Sequence, residues 1–207
     1  MTHEPAAVPR EELREAIIRT SLELGTAYGE EGLTIRGIAS RLGISVTVLY
    51  QHFDSKADIL REIRLRGLQR LIQSTLAAFE LDDLRSSIIE TSRAYVKFAC
   101  DEPWLYRLLF EGDGLPSSFL PDEQRHLVIA GESDIRARVL AKYGPLVPDE
   151  QRLSRLFARW LSALHGVSSL VIHRYFTPDH HLFPVPDLDV FISDYVEFLA
   201  DSLMQSA

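Results

Sequence analysis

Cysteine, methionine and tryptophan are scarce in this 207-residue chain, at one, two and two residues. The single Cys100 excludes an internal disulfide and any cysteine-based zinc cluster. No neighbouring residue marks it as an activated nucleophile, so burial as a small hydrophobe is expected. No stretch reaches the roughly 18–20 uncharged apolar residues of a membrane span. Residues 1–10 hold Glu4, Pro5 and Pro9 but no apolar run, which argues against a signal peptide and makes the cytoplasm the default location. Nucleotide and hydrolase signatures are missing as well. There is no G-x-S-x-G and no P-loop, and Gly112-Asp-Gly114 lacks the strand and third glycine of a dinucleotide fingerprint. His173, His180 and His181 lie near Asp179, yet no pair has the i,i+4 spacing of a zinc site, and Pro178 puts the His-His pair in a loop. The chain therefore reads as no enzyme, with no catalytic residues, metal or cofactor.

Basic charge is also in short supply. The formal net charge is −8, an unfavourable total for a partner as anionic as DNA. The excess is unevenly placed. Residues 1–66 carry nine Lys/Arg against ten Asp/Glu, whereas the remainder carries 13 against 20. Between residues 32 and 57 Arg36, Arg41 and Lys56 face only Asp54. Phosphate neutralisation is a local matter, so the charge permits DNA binding without requiring it.

What is present is helical periodicity. No window alternates as a strand would, and the expected fold is all-α with about nine helices. Leu13, Ile17, Thr20, Leu24 and Tyr28 share a face, with Gly29 and Gly32 as the stop. Thr34 opens a short helix ending at Leu42-Gly43, and Ser45 opens another that runs to Phe53. Asp54 or Ser55 caps a long helix to Phe79. Further helices are expected from Leu84 to about Asp101, from Pro103, from about Glu123 to Tyr143, over 153–171, and after Asp187 or Asp189. Residues 111–122, with two Gly and two Pro, form the clearest loop.

Thr34 to Lys56 is the segment that carries chemistry. Two short helices meet at Gly43 with no room for a free linker. Ala39 permits close approach, Gly43 makes the turn, and Ile38, Leu42, Ile44 and Leu49 lock the angle. This is the helix-turn-helix pattern, whose second helix enters the major groove. The alternative is a plain helical hairpin with surface polars. Ser45 as N-cap would aim free N–H groups at phosphate or base edges. Val46, Thr47, Tyr50, Gln51 and His52 are left off the core face. Gln reads adenine bidentately, and Thr and Val methyls meet the thymine methyl. Tyr50 and His52 suit phosphate, as do Thr34, Arg36 and Lys56.

The run T-I-R-G-I-A-S-R-L-G-I-S followed by L-Y-Q-H-F-D-S-K-A-D-I-L resembles the signature of the TetR family of transcriptional regulators. The likeness covers about residues 10–62. It implies DNA contacts at Thr34, Arg36, Val46, Thr47, Tyr50, Gln51, His52 and Lys56. Many relatives are polar or basic at position 46 and carry Thr or Ser at 48, and here both are Val. Hydrogen-bonded readout then falls on Gln51 and Thr47, with Arg36 as a further candidate. The implied organisation is a DNA-binding domain at 1–56, a connecting helix at 57–82, and a ligand-binding and dimerising domain at 83–207.

By the same resemblance, the last two helices pair with those of a second copy, which would place two recognition helices on a palindromic operator. The 153–171 segment fits this, being apolar over more than one stripe, with small residues Ala163, Gly166, Ser168 and Ser169. A central helix of a monomer would read the same way. Trp160-x4-His165-Gly166 is similar to a run in one branch of TetR C-terminal domains, although a lone His on an apolar helix also fits a satisfied core position. Candidate walls of an effector pocket are Tyr95, Trp104, Tyr106, Phe110, Phe157, Trp160, His165 and His173, which also read as plain core. Such walls suit a largely apolar or aromatic small molecule. The expectation is a repressor released from its operator by that ligand. A helical sensor that has lost DNA binding, or a helical enzyme, are the other classes.

Overall fold

The computed structural model describes residues 10–79, 81, 83–111, 137–145 and 149–206. The described residues contain helices and no strand, as the all-α expectation requires. In chain order they are α1 (Arg10–Gly32), α2 (Ile35–Leu42), α3 (Val46–Tyr50), α4 (Lys56–Phe79), α5 (Leu84–Asp101) and α6 (Pro103–Phe110). The end of α7 follows at 137–143, then α8 (Glu150–Ile172) and α9 (Leu188–Ser206). The expected loop at 111–122 and the start of the helix at Glu123 lie outside the described residues, apart from Glu111.

Two compact units form. The first takes Met1–Arg70 and Glu102–Leu109, and the second Leu71–Asp101 and Phe110–Ala207. The first unit thus takes α1 to α3, the first part of α4 and most of α6.

In the first unit, α1 breaks at Gly29, whose φ of 71° is left-handed and costs glycine little. The core comprises Ile17, Leu33, Ile38, Leu49 and Ile59, all fully buried, with Phe53 and Ile63 beside them. At about 25 cal/mol per Å² of apolar surface, these side chains supply the main drive for packing α1 to α4 together. The Trp104 ring fills the space a Cβ would need at Gly25, so α6 lies close on α1. Leu105 does the same at Gly67 of α4.

In the second unit, α5 packs against both α8 and α9. Ile89, Val196 and Ala200 form one buried cluster, and Leu153 with Leu156 another. Lys142 of α7 donates to the carbonyls of Phe79 and Leu81, capping the C-terminal end of α4. Asp83, Asp149 and Asp187 accept backbone N–H bonds at the starts of α5, α8 and α9. Asp187, not Asp189, is therefore the cap of the last helix. Cys100 is exposed at the end of α5, which corrects the expectation of burial.

Candidate nucleic-acid interface

Two short helices cannot hold an angle unless their ends and turn are fixed. Thr34 accepts from the N–H of Gly37 at 3.0 Å, capping α2. Gly43 ends α2 in the left-handed region at φ 68°, and the N–H of Ile44 returns to the carbonyl of Ala39 at 3.0 Å. Ser45 then caps α3, accepting from Val48 at 3.2 Å. Ile38 and Leu49 are fully buried and Ala39 nearly so, while Leu42 and Ile44 are half-buried. The helix-turn-helix scaffold is thus built as the sequence implied. One boundary differs: α3 stops at Tyr50, and Gln51 and His52 form a turn after it, not a continuing helix to Phe53.

This geometry leaves one face of α2–α3 free. Thr34, Arg36, Ser45, Thr47, Tyr50 and Gln51 are exposed, and Val46, His52 and Lys56 are half-buried. All nine candidates lie in the first compact unit. The Thr34 and Ser45 hydroxyls are occupied as caps, and Lys56 Nζ donates to the Glu30 carbonyl at 2.6 Å. Tyr50, 49% exposed, presents a large side chain to solvent with no core role.

Two residues at the start of α1 escaped the sequence reading. Arg10 donates from Nη2 to the Gln51 carbonyl at 3.3 Å, and Arg14 from Nη1 to the His52 carbonyl at 3.0 Å. Arg14 also pairs with Glu62 at 3.3 Å and lies 4.2 Å above the Phe53 ring. Glu62 accepts from Arg66 Nε at 2.9 Å, and Arg66 grips Glu15 through both terminal nitrogens at 2.5 and 2.6 Å. The Arg66 hydrogen bonds hold the Glu15 carboxyl below its ordinary value, and Glu15 in turn pushes the guanidinium further up. The available signal was modest: two arginines at i,i+4 on one helix face.

The structure divides the candidate effector walls. Trp104 and Tyr106 are buried in the first unit, Trp104 against Gly25. Helical spacing had placed them on an apolar face without saying which neighbour that face meets. Tyr95, Phe110, Trp160 and His165 do gather in the second unit. Ring centroids lie 6.2 Å apart for Tyr95–Phe110, 6.3 Å for Tyr95–Trp160 and 5.4 Å for Phe110–His165. Trp160 Nε1 donates to Ser92 at 2.9 Å. The Phe157 ring is tilted against Trp160 at 5.4 Å between centroids and is 41% exposed. His173 is exposed, its Nδ1 2.8 Å from the Ser169 carbonyl. Among the described residues, the buried Thr91 and Ser168 hydroxyls have no hydrogen-bond partner. His180 accepts from the N–H groups of Leu182 and Phe183, and among the described residues no three His, Cys, Asp or Glu are grouped to hold a metal ion.

Comparisons with known proteins agree with this architecture. Residues 17–63 match the model for bacterial regulatory proteins of the tetR family, and 88–189 match a tetracyclin repressor-like C-terminal domain. The chain is 53% identical to the tetracycline repressor protein class C of Escherichia coli over 47 residues, 23% of this chain and 22% of that one. It is 30% identical to the HTH-type transcriptional activator FasR of Mycolicibacterium smegmatis over 107 residues, 51% of this chain and 49% of that one. The chain thus spans about half or less of the length of these curated relatives. A structure from Rhodococcus sp. RHA1, described as a protein with unknown function, matches with a TM-score of 0.73 at 19% identity and covers 98% of both chains. Such a likeness speaks to the fold. The two matched models, one at each end and both from the same family, show that the chain belongs to the TetR family of bacterial regulators.

Proposed function

We propose that the protein is a sequence-specific, DNA-binding transcriptional regulator. The observation that carries this reading is the capped helix-turn-helix with Thr47, Tyr50 and Gln51 exposed on one face. Gln51 is the adenine reader, Thr47 and Val46 meet thymine methyls, and Arg36 is a further base-edge donor. Tyr50, His52, Lys56 and Thr34 engage phosphate, with Ser45 holding α3 at the same edge.

A second copy docks through α8 and α9, giving a two-fold homodimer. Among the described residues, eight of the eleven exposed large apolar side chains lie between Phe157 and Met204. Phe157, Leu170, Val190, Phe198 and Met204 of these are on α8 and α9, Phe198 at 69% and Val190 at 55% exposed. Exposed apolar side chains on two helices are what docking of a second copy would cover. Gly166 leaves open space where a Cβ would sit, allowing close helix approach, while Ser168 is buried within the unit and takes no part.

The effector is an apolar or aromatic small molecule with a hydrogen-bonding group. Tyr95, Phe110, Trp160 and His165 supply the apolar wall, and Thr91 and Ser168 the unsatisfied hydroxyls, since buried polar groups ordinarily find a partner. Repression by occupancy, relieved by ligand, needs no further surface and is the mode we carry. The Trp160-x4-His165-Gly166 branch assignment rests on those residues alone.

Selection from a randomised duplex pool tests the reading. Enrichment of two inverted half-sites, about 34–36 Å apart or a multiple of that, is expected. Failure to enrich any duplex at low salt contradicts it. A thermal-shift screen with aromatic and lipophilic compounds tests the effector, a ligand at 100 times its Kd adding about 2.7 kcal/mol.

A further inference from the structure

The recognition helix is very short. Five residues, Val46–Tyr50, make little more than one turn, which has no stability of its own. Ser45 secures its N-terminal end. At the other end the carbonyls of Val48 and Leu49 accept from the N–H groups of Gln51, His52 and Phe53, which leaves the carbonyls of the turn itself to be held from outside. Those of Gln51 and His52 find Arg10 and Arg14 of α1.

The two contacts differ in kind. Arg10 is exposed and, among the described residues, bonds to the backbone of the residue assigned to read adenine. Arg14 is about two-thirds buried and fully engaged. One terminal nitrogen holds the His52 carbonyl, the other meets Glu62, and the guanidinium covers Phe53, itself 4% exposed. Glu62 is held by Arg66 and Arg66 by Glu15, so the chain of pairs returns to α1 one residue from Arg14. The turn after α3 is therefore registered against a frame built from α1 and α4.

We propose that Arg10 and Arg14 are positioning residues that set DNA specificity by fixing the 51–52 turn, without themselves contacting DNA. Bidentate readout tolerates only about 0.5 Å and 10–20° of misplacement. Phosphate contacts from flexible side chains tolerate more. Loosening the turn then weakens the specific complex and spares the non-specific one. This inference rests on the assignment of Gln51 as base reader.

The test uses the full chain, a duplex enriched by the wild type from a randomised pool, and a scrambled duplex of equal length. Both are titrated across a salt series with Arg10→Gln, Arg14→Gln, Arg14→Lys and Gln51→Ala. Arg14→Gln should lower affinity for the enriched duplex by about tenfold or more, the scale of one lost bidentate contact. Affinity for the scrambled duplex and the salt slope should stay as they were. Arg10→Gln should act in the same direction but less. Arg14→Lys should recover part of the loss, since an ammonium reaches a carbonyl but lacks the planar fork. A parallel fall on both duplexes, with a slope smaller by about 0.9, identifies a phosphate contact and overturns the proposal. Unchanged discrimination in both Gln variants overturns it too. Should Arg14→Gln fail to fold by circular dichroism, the exposed Arg10 decides alone. If Gln51→Ala leaves discrimination intact while the arginine variants abolish it, the reader lies elsewhere on the turn and positioning stands. If only Gln51→Ala abolishes it, the reader is right and positioning falls.

Discussion

At the scale of single residues, the two faces of the helix-turn-helix separate cleanly by what they do. Gly43, at φ 68°, occupies a conformation that costs a side chain about 1–2 kcal/mol. Nothing lies within 4 Å of a Cβ placed there, so the strain is conformational and not steric. Gly43→Ala should therefore lower stability by about that amount, read as the shift of a urea midpoint with an unchanged slope. An unshifted midpoint would mean the turn is not held as described. On the outward face, Gln51→Ala should cost about 1–3 kcal/mol of discrimination between bases. Lys56→Ala should instead weaken binding to all duplexes alike and lower the salt slope by about 0.9. Equal effects from both substitutions would deny the division of labour.

At the scale of elements, α1 acts as a brace for α3 and α4 within the first unit. The Glu15–Arg66 contact makes this brace pH-sensitive. The folded Glu15 carboxyl titrates below its ordinary value of 4.5, chiefly through the Arg66 hydrogen bond. Its contribution is therefore fully present above the unfolded pKa and is lost as pH falls through the lower, folded value. A plot of unfolding free energy against pH should lose part of its acid limb in Glu15→Gln, and a limb identical to the wild type would contradict the assignment. This element also shows where sequence runs out. Caps and the Gly43 turn join residues three to five apart, so Thr34, Ser45 and Gly43 could be placed from spacing alone. Arg10 and Arg14 reach across 41 and 38 residues, a separation that periodicity does not encode. The burial of Trp104 was legible in the same limited way, its apolar spacing naming no neighbour. In the fold Trp104 meets Gly25 of α1 and its neighbour Leu105 meets Gly67 of α4.

At the scale of the whole molecule, regulation by a symmetric operator requires two reading units. The exposed Phe198, Val190 and Leu170 sit on the two helices that the family resemblance pairs with those of a second copy. Phe198→Glu should convert a dimer to a monomer in light scattering, and should reduce affinity for a two-half-site duplex far more than for a single half-site. A variant that stays dimeric would move the interface off this face.

The most direct measurement of the central claim is an anisotropy titration of the pool-enriched duplex against its scrambled counterpart, repeated from low to physiological salt. A helix-turn-helix regulator should prefer the enriched sequence by about 10³-fold or more, and its affinity should fall linearly with salt on logarithmic axes. Equal affinity for the two duplexes, or binding indifferent to salt, would show that the exposed face of α2 and α3 does not read DNA.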